Sequence, residues 1–93
     1  MKMKTKKVSK RKNSEIVVAV SGGFDPIHIG HIRMFREAKA LGDKLVVILN
    51  NDNWLINKKG YAFMSEKERV EVIKAIAGVD DVLLTHHKKD FTD

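Results

Sequence analysis

Two stretches, EIVVAVS (residues 15–21) and KLVVILN (residues 44–50), are nearly unbroken apolar runs rich in valine. A strand with one wet face alternates apolar and polar residues. A run without alternation suits a strand buried on both faces, as in a parallel sheet covered by helices. Parallel neighbours need a crossover between them, and the intervening residues have the period to supply one. Over residues 29–41 the apolar positions Ile32, Phe35, Ala38 and Leu41 recur every three residues, with Arg33, Arg36, Glu37 and Lys39 filling much of the remainder. Gly42 is expected to stop this helix in a left-handed conformation.

A second unit follows. SEKE, from Ser65, is a capping box in which Ser65 accepts from the Glu68 amide and the Glu68 carboxylate reaches back. The helix it opens carries Val70, Ile73 and Ala77 on one face, with Val72 and Ile76 beside it, and Gly78 closes it. VDDVLLT (residues 79–85) reads as a third, short strand. The intervening NDNWLINKKGYAFM has no clear period and reads as a polar connection. Strand, helix, strand, helix, strand predicts an α/β, Rossmann-like parallel sheet. The chain then runs out at HHKKDFTD, with few helices to cover the second face of that sheet.

The 93 residues suffice for one domain, and 43% hydrophobic against 32% charged residues is a globular balance. There is no cysteine, which excludes disulfides and thiolate metal sites and suits a reducing compartment. No apolar run is long enough for a transmembrane helix, and the N-terminus lacks a secretory signal, so a cytoplasmic location is expected. The net charge of +6 is localised. Lys2, Lys4, Lys6, Lys7, Lys10, Arg11 and Lys12 include no acid among them, whereas from Asn13 onward 11 Lys+Arg meet 12 Asp+Glu, a net of −1. Residues 1–14 therefore read as a basic, disordered tail, and residues 15–93 as the folded part. Weak contact with nucleic acid or an acidic surface is the alternative to a plainly solvated tail.

Between the first strand and the first helix lies GGFDPIHIGH, residues 22–31. A strand, a glycine-rich turn and a helix start gather backbone amides and a positive helix end, which suits phosphate. Gly22 and Gly23 let the backbone approach a ligand closely. Pro26 stiffens the loop, and Asp25 is placed to cap or orient it. The motif is neither GxGxxG nor a P-loop, since no GKS or GKT follows. His28 and His31, three apart, share one side of the helix start, and Gly30 leaves room for a nucleotide there. Such a pair can donate hydrogen bonds to phosphate oxygens as negative charge builds up, with no covalent step. The other readings are ordinary polar residues, or a metal pair, for which no third ligand stands at a clear spacing.

GGFDPIHIGHIRMFREAKALGDKLVV closely resembles the cytidylyltransferase-like branch of the nucleotidyltransferase superfamily. Members carry Gly-x-Phe-Asp-x-x-His-x-Gly-His after the first strand, then a helix ending in a leucine-glycine-aspartate turn. The resemblance continues through Asp52, Lys58 and Lys59, Ser65 and Arg69, and Val79 with Asp80, covering about residues 17–84. It implies that a small phosphorylated alcohol or sugar attacks the α-phosphorus of a nucleoside triphosphate, with pyrophosphate leaving. By similarity, Gly22, Gly23, Phe24, Asp25 and Gly30 belong to the nucleotide-binding loop, and His28 and His31 stabilise the transition state. Lys58 falls where members place a phosphate-binding lysine, with Lys59 as its alternate. Arg69 matches an arginine that helps hold the active site and its nucleotide. Mg2+ accompanies the triphosphate, held by its oxygens and water.

Taken alone, these residues keep plainer readings. Lys58 and Lys59 are equally loop cations, and Arg69 is equally a partner for Glu66 or Asp52. Asp80 and Asp81 shape the turn into the third strand. Trp54 and Tyr61 form either a substrate lid or packing at the sheet end, and His86 and His87 are solvated.

The chain departs from the family twice. Glycerol-phosphate and phosphocholine-type cytidylyltransferases carry RYVD before the third strand, where this chain has Ala77-Gly78-Val79-Asp80 and lacks the arginine. The short apolar version is more similar to heptose-phosphate adenylyltransferases, so CMP and AMP both remain as the transferred group. Members also continue to an Ile-Ser-Ser-Thr or Ile-Ser-Thr-Thr motif that nothing here matches. The resemblance therefore implies a domain truncated after the third strand, weakly active or inactive alone. The apolar edge at residues 15–21 would then stand open and favour a homo-oligomer. The rival readings are a pantetheine-phosphate or nicotinamide-mononucleotide adenylyltransferase, and a nucleotide- or nucleic-acid-binding module without catalysis.

Overall fold

A computed structural model describes residues 4–9 and 15–86. One sheet holds four strands in the order β1 (Lys4–Ser9), β2 (Ile16–Gly22), β3 (Lys44–Leu49) and β4 (Asp81–Leu84). β2, β3 and β4 are parallel, and β1 lies antiparallel to β2. Helix α1 (Ile29–Lys39) connects β2 to β3, and helices α2 (Asp52–Lys59) and α3 (Glu66–Lys74) connect β3 to β4. Three parallel strands with helical crossovers make the Rossmann-like α/β arrangement that the valine-rich runs require.

Strand register explains where the core lies. Val18 pairs with Leu45, Val20 with Val47, and Val47 with Val82. These residues join Phe35 and Ala38 of α1 and Ile73 of α3 in one cluster. Both helices therefore cover the same face of the sheet. On the other face Val17, Val46 and Ile48 are half-buried and Leu83 is 51% exposed.

The polar connections are also built from named contacts. The Asp80 carboxylate accepts from the Leu45 amide at 2.7 Å and from Lys39 Nζ at 2.6 Å, fixing the entry to β4 beside the start of β3. Ser65 caps α3 by accepting from the Glu68 amide, while its hydroxyl donates to the Glu68 carboxylate at 3.2 Å.

Three expectations are corrected. Lys4–Ser9, in the run read as a disordered tail, forms β1 and pairs with β2 from Lys4 opposite Ser21 to Ser9 opposite Ile16. The edge of β2 expected to stand open is thus hydrogen-bonded. Ladder pairing uses backbone groups, so a lysine-rich run can supply it. Next, Gly42 is not left-handed; the glycines at positive φ are Gly60 (84°) and Gly78 (95°). Gly42 serves close packing instead, since a Cβ there would lie 2.8 Å from the Ile16 carbonyl oxygen. Finally, the connection without period contains α2, capped by Asn51, whose side chain accepts from the Trp54 amide at 3.0 Å, and ended by left-handed Gly60.

His87 and the remaining tail residues lie outside the described residues. Among the described residues, no helix is long and apolar enough to cross a membrane.

Candidate active site

The loop leaving β2 reaches α1 through a tightly determined path. Phe24 takes φ of 48°, in the left-handed region that side chains rarely adopt. Its ring is fully buried, edge-on to His31 and Phe35 with centroids 5.1 and 5.3 Å away. The Asp25–Pro26 peptide is cis. The loop then ends at His28, the N-cap of α1.

His28 and His31 cap the helix reciprocally. His28 Nδ1 accepts from the Gly30 amide at 3.1 Å, and His31 Nδ1 accepts from the His28 amide at 3.1 Å. A ring nitrogen that accepts carries no hydrogen, so in both rings the hydrogen sits on Nε2. The rings lie 3.9 Å apart, with His28 exposed over buried His31. His31 Nε2 is itself buried and has no hydrogen-bond partner. Leaving a buried donor unmatched costs about 1–3 kcal/mol. Burial, then the charge of His28, then that of the chain's N-terminus push His31 down from 6.5 to about 4. It is therefore a neutral donor at pH 7.

Other predicted residues turn inward. The Asp25 carboxylate is buried and accepts from the amides of Phe63 and Met64, both at 2.6 Å. Lys59 Nζ lies 3.0 Å from its Oδ2 and donates to its backbone carbonyl at 2.9 Å. Burial opposes ionisation of Asp25, but the Phe63 amide, Lys59 and the Met64 amide outweigh it and hold the carboxyl below 3.8. Arg69 is fully buried. It donates to the carbonyls of Gly23, Asn50 and Met64, and to the Asp52 carboxylate at 2.7 Å. Asp52, rather than Glu66, is its ion-pair partner; Glu66 accepts from the Asp52 amide instead.

Lys58 is exposed, its ammonium 5.8 Å from the Trp54 ring centroid. Lys59, not Lys58, meets the glycine-rich loop, and its ammonium lies 4.9 Å from the exposed Tyr61 ring. Gly23 is backed by α2: a Cβ there would lie 2.8 Å from Leu55 Cδ2 and 3.3 Å from the Trp54 ring. A Cβ on Gly30 would lie 2.8 Å from the His28 ring. The structure thus gathers Gly23, Asp25, His28, His31, Lys59 and Arg69 at one end of the sheet. The supporting helix α2 and its Asn51 cap were missed by periodicity. Asn51 and Gly60, which bracket the 8 residues of α2, were the available signal.

Among the described residues no three His, Asp or Glu side chains cluster as a metal cage. A cytidylyltransferase-like family model matches residues 19–89. The chain belongs to the cytidylyltransferase-like family. It is 44% identical over 73 residues to an FAD synthase of Pyrococcus abyssi, covering 77% of this chain and 49% of that protein. It is 40% identical over 73 residues to an ethanolamine-phosphate cytidylyltransferase of Arabidopsis thaliana, covering 78% of this chain and 17% of that protein. Among solved structures, a lipopolysaccharide core biosynthesis protein of Thermoplasma volcanium matches with a TM-score of 0.67 and 37% identity, covering 73% of this chain and 55% of that one. This cytidylyltransferase-like chain therefore spans about half the length of the FAD synthase it matches.

Proposed function

We propose that this chain carries the triphosphate-binding part of a nucleotidyltransferase, which moves CMP or AMP from a nucleoside triphosphate to a small phosphorylated alcohol or sugar. One observation carries the reading: His31 presents a buried, neutral Nε2–H with no protein partner, beside an exposed His28 in the same tautomer. An unmatched donor of this kind costs stability, and an anion reaching it recovers that loss.

In the reaction, a phosphate oxygen of the acceptor attacks the α-phosphorus, the bond to the bridging oxygen breaks, and pyrophosphate leaves. Negative charge grows on the phosphoryl oxygens. The two Nε2–H groups, held by helix caps, are oriented before the reaction, so they stabilise this charge without reorganising. The N-terminal end of α1 adds its positive field. Lys58 supplies an exposed cation on the next helix, and Lys59 with Asp25 fixes the loop that faces it. Arg69 acts indirectly, holding the Gly23 carbonyl and so the turn of the glycine loop. Mg2+ fits as a companion of the triphosphate rather than a resident ion, because Asp25 and Asp52 already serve other partners.

The relatives support both bases: the cytidylyltransferase favours CMP, and the FAD synthases favour an adenylyl group. The test is pyrophosphate release with ATP and CTP across phosphorylated sugars, phosphorylated alcohols and flavin mononucleotide. Turnover with one pairing, lost in His31→Ala, supports the proposal. Absence of turnover with every pairing, together with absence of triphosphate binding, overturns it.

A further inference from the structure

Tyr61 and Phe63 are 56% and 69% exposed, and Phe63 is the most exposed large apolar side chain among the described residues. Single apolar residues at a surface are ordinary. These two differ because the protein fixes the loop that carries them. Gly60, at φ of 84°, ends α2 and turns the chain. The amides of Phe63 and Met64 both donate to the buried Asp25 carboxylate at 2.6 Å. Lys59, paired with that carboxylate at 3.0 Å, stands over the Tyr61 ring, 4.9 Å from its centroid. Two rings are thus exposed on a held loop.

The anchor of this loop belongs to the histidine loop. Asp25 precedes His28 by three residues, a span of at most about 11 Å. The aromatic pair is therefore rooted close enough to His28 and His31 for one small phosphate ester to touch both. Lys59 occupies one face of Tyr61, so the exposure of that ring belongs to its edge and its other face. A ring with a cation on one face offers the other to a planar π system. Such stacking tolerates many ring types because each presents a π face, whereas an aliphatic substrate gains little from it.

We propose that Tyr61 and Phe63 form a stacking shelf for the planar ring of a substrate whose phosphate lies at His28 and His31. The inference rests on the nucleotide reading above and deepens it, adding specificity-determining residues outside the glycine and histidine motif. The ring belongs to a phosphorylated acceptor or is the base of the triphosphate; both present the same chemistry, and the test separates them. The shelf also explains why a buried carboxylate of the histidine loop faces two amides of a distant loop: it sets the rings against the phosphate site.

The test is calorimetric titration of the full chain and of its Tyr61→Leu, Phe63→Leu and double variants. The ring-bearing probes are flavin mononucleotide, a phosphate ester, and the triphosphates ATP and CTP. Glycerol 3-phosphate and inorganic tripolyphosphate are the ring-free controls. Leucine keeps apolar bulk while removing the π face, and circular dichroism checks folding. The double variant is expected to bind at least one ring-bearing probe about five- to thirtyfold more weakly, and the ring-free controls within about twofold of wild type. The larger loss, for flavin mononucleotide or for the triphosphates, assigns the ring to the acceptor or to the base. Equal effects on ring-bearing and ring-free probes, whether large or absent, overturn the proposal, as does a wild type that binds no ring-bearing probe. If the stacking contrast is present but no substrate pair releases pyrophosphate, the transfer reading fails and the shelf stands. If pyrophosphate is released while the double variant binds every probe like wild type, the transfer reading stands and the shelf fails.

Discussion

Arg69 donates to the Gly23 carbonyl at 2.9 Å, so a residue of α3 holds the turn that begins the histidine loop. The same guanidinium reaches Asn50, Met64 and Asp52. Arg69→Ala should therefore destabilise the fold by about 3–5 kcal/mol, because a paired carboxylate and three carbonyls lose their donor together. Arg69→Lys should recover little, since an ammonium lacks the planar fork. Urea unfolding measures both, and near-wild-type stability in Arg69→Ala would remove the guanidinium as the organiser of this end of the sheet.

His31→Ala should lower the turnover of an active substrate pair by about 10²–10³-fold, with a smaller change in KM. His28→Ala should act in the same direction. Steady-state pyrophosphate release separates the two constants, and unchanged turnover in His31→Ala would exclude transition-state donation from its Nε2.

Acid should destabilise the fold through His31. The unfolded chain takes up this proton near pH 6.5 and the folded chain only near 4. The contribution is present in full above about 6.5 and falls as the pH drops to about 4, by at most about 1.4 kcal/mol per pH unit and about 3 kcal/mol in all. Urea titrations across this range measure it. His31→Ala should flatten the slope, and an unaltered slope would assign the effect elsewhere.

Asp25→Asn should loosen residues 63 and 64. The amide retains one acceptor oxygen for two backbone donors and loses the charge that faces Lys59, a cost of about 1–3 kcal/mol. Hydrogen exchange of the Phe63 and Met64 amides should quicken before global unfolding. In the wild type, the contribution from ionised Asp25 is complete above 3.8 and is lost as pH falls below that value through the depressed pKa. Unchanged protection of both amides in Asp25→Asn would show that the loop is held by something other than this carboxylate.

The parallel sheet was legible because Val18, Val20, Leu45, Val47 and Leu49 sit in runs whose burial demands strands, and all five are buried. The Ser65 cap was legible because its chemistry is local. Helix α2 was not, because Trp54, Leu55 and Ile56 are consecutive and only Leu55 is buried, so no helical period emerges. β1 was hidden because ladder pairing leaves no trace in a lysine-rich composition. In the site, the histidine spacing was visible, but the tautomers are set by two backbone amides. Asp25 and Arg69 were visible as motif letters; that they face the protein's own amides and carbonyls required the fold.

The reciprocal cap also joins two events that are usually separate. Each imidazole accepts a backbone amide at Nδ1, so a ring that gains a proton there must surrender its hold on the first turn of α1. Charging His31 and releasing the amide at the N-cap of α1 are therefore one transition. Acid would do more than change the charge of the phosphate site: it would unwind the ground on which the two rings stand.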